Sequence, residues 1–335
     1  MKRTLQLFLG VAISVAAVWF SMRGVSVPAV WRALSHSNLL LFVAVMALAL
    51  GSFWFRALRW RSLLSADRAW SLDSLLSATM IGFMANNVLP FRLGEFVRAW
   101  ALARRERCST TMVLATVVVE RVVDMLALLG ILGVTMLVHP IRPGTRAAEV
   151  TQAGATSLIV ITIALTVLLV VLERTPGLAH GLVQRVASRL PERQRDRVIA
   201  ALDHFVEGLG LFRDLPRLLW VFALSLVMFS CFAVAQQLSM EAFGIHLPWY
   251  AGFTVLVISA FAIMAPAAPG YVGVMNLACV AGLALFGVTN PELTSSFAWF
   301  YWAGQWLPVT VAGLIYLRRE GLSLRSLEQA RGSAS

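Results

Sequence analysis

The sequence predicts an all-α integral membrane protein, a polytopic bundle of about eight spanning or broken helices. Three observations carry that expectation. Of the 335 residues, 59% are hydrophobic and only 13% are charged, where a soluble domain carries about 25% charged residues; mean hydropathy is +0.77. The apolar residues gather in blocks of 17 to 27 residues, the length a helix needs to cross about 30 Å of hydrocarbon. The basic residues lie mostly between these blocks, so the net charge of +11 reads as membrane topology and not as a nucleic-acid surface.

Six blocks read as plain spans: 5–22, 38–55, 112–138, 153–172, 218–240 and 295–317. The first follows Met1-Lys2-Arg3 and has no small-x-small cleavage site before Arg23, so it is taken as a retained span. Lys2 and Arg3 place the N-terminus inside. The loop after the second span then returns inside with Arg56, Arg59, Arg61 and Arg68. If residues 75–91 crossed fully, the five arginines at 92, 98, 104, 105 and 107 would lie outside, against the positive-inside rule. A re-entrant or broken helix entering from the cytoplasm removes the conflict. Residues 250–288 must both leave from and return to the outer face, and they contain Pro266-Ala267-Ala268-Pro269-Gly270, which a continuous helix does not accommodate. On this topology 23 of the 28 basic residues lie inside and four outside, with Arg121 inside a span.

One interrupted element thus opens inward and another outward, the arrangement of an inverted repeat with a site between broken helices. The alternative is two ordinary kinked spans. Residues 175–214 read as two short amphipathic helices separated at Pro191, lying on the inner membrane surface or forming a solvated hairpin. Residues 1–319 form one transmembrane domain, and 320–335 a polar, mobile cytoplasmic tail.

The composition also excludes chemistry. Lys2 is the only lysine, so a Walker A loop, which needs a lysine after its glycines, is absent. Cys108, Cys231 and Cys279 are isolated, and the five histidines are scattered, so no metal or other cofactor is expected.

Three constellations carry the functional signal. Glu120, Arg121 and Asp124 lie within a span, near the bilayer midplane; each such charge costs about 2.5–3.5 kcal/mol on insertion scales. Glu120 and Asp124 share a helix face, and Arg121 can pair with Asp124 three residues ahead. They form either a polar headgroup or proton pathway, or a buried ion cluster tied to a neighbour through Arg92 or Arg98. The second constellation is Asn86-Asn87, then Pro90, Arg92 and Glu95, with Arg98 one turn later. Its arginines either grip a phosphate, as guanidinium does bidentately, or mark the cytoplasmic interface with Glu95 pairing locally. The third is 266–276, where Tyr271 and Asn276 either contact a ligand or join helices.

These motifs resemble the transmembrane region of the lysylphosphatidylglycerol synthase/flippase family. The residues that carry the resemblance are Pro90-Phe91-Arg92-Leu93-Gly94-Glu95-Phe96-Val97-Arg98, Glu120-Arg121-Val122-Val123-Asp124 and Pro269-Gly270-Tyr271-Val272-Gly273. Many members carry an acidic residue where this chain has Asn276. The family's lipid-modifying members continue into a soluble aminoacyl-transferase domain, whereas this chain stops at Ser335 and is expected to be a stand-alone, flippase-like member. The resemblance implies movement of a phospho- or polyprenyl-linked lipid between leaflets of a bacterial cytoplasmic membrane, with both termini cytoplasmic. A membrane-embedded transferase using Glu120 or Asp124 as base, and a scaffold for a separate synthase, are the alternatives. The substrate-binding set expected is Asn86, Asn87, Arg92, Glu95, Arg98, Glu120, Arg121, Asp124, Tyr271 and Asn276.

Overall fold

The computed structural model describes residues 19, 27–35, 37–64, 68–89, 93–138, 160, 163–164, 167, 214–263, 268–323 and 327. The expected spans at 5–22 and 153–172, and the segment 175–214, lie outside these residues apart from single positions. All regular elements among the described residues are helical: α1 (Val27–Ser35), α2 (Leu39–Leu63), α3 (Leu72–Val88), α4 (Gly94–Glu106), α5 (Thr110–Val138), α6 (Leu215–Glu241), α7 (Tyr250–Ala262), a 3-10 turn (Pro269–Tyr271), α8 (Val274–Ala284) and α9 (Pro291–Arg319). The protein is an all-α membrane bundle.

The long helices start at side-chain caps. Asn38 accepts from the backbone N–H of Leu40 at 2.9 Å, and Asp214 from Arg217 at 3.1 Å. Asn290 accepts from Glu292 and Leu293 at 3.0 and 3.1 Å, followed by Pro291 in the first turn. Apolar windows in α2, α5 and α6 reach mean hydropathies of 2.0, 2.0 and 2.4. At a rise of about 1.5 Å per residue, each helix exceeds the hydrocarbon thickness. The second span is longer than its sequence suggested. It continues past Phe55 to Leu63, so Arg56, Arg59 and Arg61 stand on helix α2 and not in a loop.

Helices α3 and α4 form an antiparallel hairpin. At its open end Arg105 pairs with Asp73 at 2.7 Å; near its tip the Gly94 N–H donates to Asn86 Oδ1 at 2.7 Å. Both ends of the element therefore lie at one face, the re-entrant geometry expected of it. Helices α7 and α8 form the second hairpin, with the Tyr250 and Phe286 rings 6.1 Å apart at its open end and Ser259 facing Cys279 at 3.9 Å farther in.

The two hairpins enter from opposite faces. Arg217, at the start of α6, donates to the Ser62 carbonyl at the end of α2, at 2.6 Å. Arg319 and Glu320, at the end of α9, bind Asp73 and Arg105. One face thus holds the ends of α2, α4 and α9 and the starts of α3, α5 and α6. The opposite face holds the open end of α7 and α8, beside the starts of α2 and α9, where the Phe42 and Phe300 rings meet at 4.9 Å.

Each half reads span, hairpin, span: α2 to α5, then α6 to α9 with reversed orientation. The packing repeats as well. Helices α2 and α6 lie together, α3 of the first hairpin packs on α9, and α7 of the second packs on α5. The expected inverted repeat is therefore present as architecture. Both tips carry Pro-x-x-x-Gly, at Pro90–Gly94 and Pro269–Gly273. In each the glycine N–H is held by an asparagine oxygen, Asn86 at 2.7 Å and Asn276 at 3.0 Å. The described part of the tail is packed: Leu322 and Leu327 are buried with Ile81, Met84 and Leu89 of the first hairpin.

The first hairpin closes tightly through glycines. A Cβ at Gly82 would lie 2.6 Å from Arg98 Cβ and 2.7 Å from the Gly94 carbonyl oxygen, and one at Gly94 would strike the Gly82 carbonyl. Gly94→Val is expected to lower stability by about 1–3 kcal/mol, read as a fall in thermal unfolding midpoint. Gly133→Ala, where nothing lies within 4 Å, should leave the midpoint unchanged or slightly raised.

Candidate functional site

The last turns of α2 present Arg56, Arg59 and Trp60 on one face, since residues three and four apart are neighbours on a helix. Helix α5 presents Glu120 and Asp124 by the same rule. Helix α4 contributes Arg98, and α6 contributes Ser225. These groups form one buried network. Arg56 Nη1 lies 2.6 Å from Glu120 Oε1 and 3.5 Å from Asp124 Oδ2. Arg59 Nη2 lies 2.9 Å from Glu120 Oε1, while its Nη1 reaches Asp124 Oδ1 at 2.5 Å and donates to Ser225 Oγ at 2.7 Å. Arg98 binds both oxygens of Glu120.

Aromatic rings cover this network. The Arg98 guanidinium stands 4.1 Å over the Trp60 ring, and the Trp60 indole N–H donates to Thr116 Oγ1 at 2.9 Å. Arg56 lies 4.9 Å from the Phe83 ring centre. Glu120 and Arg59 are wholly enclosed, at 0% exposure. Glu120 follows Thr110 by ten residues in a helix of 29, which places it roughly 15 Å from the start of α5.

Arg121 faces another way. Its side chain is 39% exposed, and its Nη2 lies 3.3 Å from Glu120 Oε1 and 3.5 Å from both Asp124 Oδ2 and Glu95 Oε1. The expected pairing of Arg121 with Asp124 is therefore present. Glu95 is itself 35% exposed, and its Oε2 has no hydrogen-bond partner. Tyr271, at the tip of the second hairpin, lies within electrostatic reach of Arg121. Asn87 Nδ2 donates to Thr310 of α9 at 2.9 Å, and its carbonyl oxygen would stand 3.4 Å from a Cβ on Gly270. The two tips thus meet beside Arg121, and all three sequence constellations converge there.

The expected residues do not all face that point. Arg98 is enclosed and committed to Glu120, which matches the ion-cluster reading of the sequence and leaves no free fork for a phosphate. Asn86 and Asn276 hold the tip glycines, although Asn276 Nδ2 stays buried without a partner. Arg92 lies outside the described residues. Sequence reasoning missed Arg56 and Arg59. The signal for them was their spacing of three with Trp60 beside it, which continues the helical face of α2 beyond the end of the apolar run.

The charges do not balance. Among the described residues four arginines (56, 59, 98 and 121) meet three carboxylates (Glu95, Glu120 and Asp124). Donors are also in excess: the Nε groups of all four arginines are buried without hydrogen-bond partners. A buried cationic excess favours an anion, and Arg121 is where one has access. No three or more His, Cys, Asp or Glu side chains among the described residues gather as a metal site requires.

Comparison with known proteins bears on the whole chain. The family described as "Lysylphosphatidylglycerol synthase TM region" matches residues 7–313. A curated protein of the archaeon Methanothermobacter thermautotrophicus, described as a "UPF0104 membrane protein", is 26% identical over 237 residues, covering 65% of this chain and 68% of the relative. No solved structure matches.

Removing the Glu120 charge leaves buried Arg98 without a carboxylate and takes one of two from Arg56 and Arg59. Glu120→Gln is expected to cost about 3–5 kcal/mol, the range for breaking a buried ion pair from one side, measured as loss of unfolding midpoint in detergent. The double variant Glu120→Gln/Arg98→Met should recover part of that loss, because one orphaned charge is removed with its partner.

Proposed function

This chain belongs to the lysylphosphatidylglycerol synthase transmembrane-region family, and from that premise we propose that it moves a phosphate-bearing lipid between the leaflets of the cytoplasmic membrane. The observation that carries this reading is Arg121. It holds the accessible part of a net cationic cluster in the first half of α5, where two hairpins from opposite faces meet. A phosphate drawn from one leaflet would find there an opposite charge and unspent donors, while its acyl chains remain in lipid. Guanidinium binds phosphate oxygens well, and the insertion cost of a bare headgroup falls when a countercharge is already in place.

The division of labour follows from burial. Arg56, Arg59 and Arg98 are occupied by Glu120 and Asp124 and hold the three helices together. Arg121, with Glu95 and Tyr271 around it, receives the headgroup. Asn87 links the first tip to α9. Movement is downhill or coupled to an ion gradient, since the chain carries no P-loop lysine. The arginine-bearing face, with the ends of α2, α4 and α9, lies in the cytoplasm by the positive-inside rule. The transferase alternative with Glu120 or Asp124 as base has less support, because arginines engage both carboxylates.

A leaflet-resolved assay in reconstituted vesicles tests the proposal, using a fluorescent phosphodiester lipid. Arg121→Gln should keep its fold and lose transfer by about tenfold or more, the loss of one charge-assisted contact, and Arg121→Lys should recover part of it. Wild-type protein that transfers nothing would overturn the reading. A new lipid product without transfer would point to the transferase, and co-purification of a soluble synthase without either would point to the scaffold.

A further inference from the structure

Away from the central cluster, the open end of the first hairpin holds a second group of charges. Arg319 grips Asp73 with two contacts, at 2.9 and 3.1 Å, and Arg105 donates to Asp73 at 2.7 Å. Arg105 also binds Glu320 Oε1 through its other terminal nitrogen. The same oxygen accepts from the Ser77 hydroxyl at 2.7 Å. Ser77 is 1% exposed, so its hydroxyl is fixed at the floor of a recess.

That recess is a cavity of about 100 Å³ lined by Ser74, Ser77, Arg104, Arg105, Glu320 and Leu322. One water needs roughly 10–15 Å³ of such space, so the recess has room for a small oxyanion. Glu320 uses it incompletely. Both of its contacts fall on Oε1, and Arg104, whose guanidinium lies 5.7 Å from the Trp100 ring, pairs with no carboxylate among the described residues. With Glu320 in place, three arginines (104, 105 and 319) stand against two carboxylates; without it, they stand against one. The site lies beside the last arginines of α9, the level at which a span meets the headgroup layer.

We propose that this recess is a binding site for a phosphate group, either of a lipid headgroup or of free phosphate, and that Glu320 occupies it as an internal surrogate. A tetrahedral phosphate offers separate oxygens to Arg105, Arg104 and Ser77, where Glu320 offers a single oxygen to two donors and none to Arg104. Its entry displaces Glu320. The residues just after Glu320 join α9 to the first hairpin: the Leu322 N–H caps α9 at the Leu317 carbonyl, at 3.0 Å, and Leu322 and Leu327 are buried against the hairpin. Displacement therefore loosens the latch that holds α9 to the base of that hairpin, on the cytoplasmic face of the bundle. Phosphate binding at this recess does not depend on lipid transfer.

The test uses the full chain in a maltoside micelle in phosphate-free buffer, with ionic strength held constant by chloride. Inorganic phosphate or phosphatidylglycerol is titrated, and hydrogen exchange is followed at the amides of Leu322 and Leu327. Exchange should rise to saturation with added phosphate. Glu320→Gln should tighten the apparent affinity by about tenfold, because the charged competitor is gone. Arg104→Gln, which leaves the existing clasp intact, should weaken it by a similar factor. Response to both probes assigns a site for free phosphate as well as lipid; response to the lipid alone assigns a headgroup site. No response to either, an equal response to chloride, or Glu320→Gln with unaltered affinity overturns the proposal and leaves Glu320 an interfacial ion pair.

Discussion

The bundle depends on the neutralisation of Glu120 inside the membrane. A lone carboxylate at that depth carries an insertion penalty of a few kcal/mol, and a single arginine would bring a desolvation cost of its own. Here three guanidinium groups, from α2 and α4, close on one carboxylate of α5. The consequence is mechanical as well as electrostatic. Helix α2 is fixed to α5, and the returning arm of the first hairpin is fixed to both. Trp60 closes the assembly from one side by stacking on Arg98. The position of the first tip, and therefore of Glu95 beside Arg121, follows from that anchorage.

Much of this was legible in the sequence because the membrane makes some residues improbable. Arginines on the wrong side exposed the first hairpin, and prolines in an apolar run exposed the second. Two carboxylates inside a span marked the centre of the site. The features that escaped did so for equally physical reasons. An apolar run ends at its first charge, so the hydropathy of α2 stopped at Phe55 although the helix continues to Leu63. Arg56 and Arg59 looked like loop residues because their partners are more than 60 positions away. Contacts of that separation leave no local pattern. Leu322 and Leu327 were hidden in the same way, by the polar residues that surround them.

The inverted repeat was suggested by topology and invisible in residue identity, because the two halves carry different chemistry on one frame. The first half fixes its hairpin with ion pairs. The second uses neutral groups: Gln236 Nε2 donates to Ser259 Oγ at 3.4 Å, Gln237 to the Leu247 carbonyl at 2.9 Å, and Trp302 to the Gly270 carbonyl at 2.8 Å. A repeat conserved as backbone geometry needs only the tip to agree, and Pro-x-x-x-Gly is too short to stand out from an apolar background.

That difference in chemistry sets which half yields first. A neutral hydrogen bond contributes about 0.5–1.5 kcal/mol net, whereas breaking a buried ion pair from one side costs about 3–5 kcal/mol. The tip of the second hairpin rests on Trp302 and on the approach of Gly270 to Asn87 and Trp306. Displacing it costs a few contacts of the weaker kind. Displacing the tip of the first requires pulling Arg98 from Glu120 in a region of low dielectric. In the proposed transfer of a lipid headgroup, the first hairpin is therefore the fixed wall that carries charge. The second, whose tip carries Tyr271, is the element that would have to move to open Arg121 to the opposite leaflet.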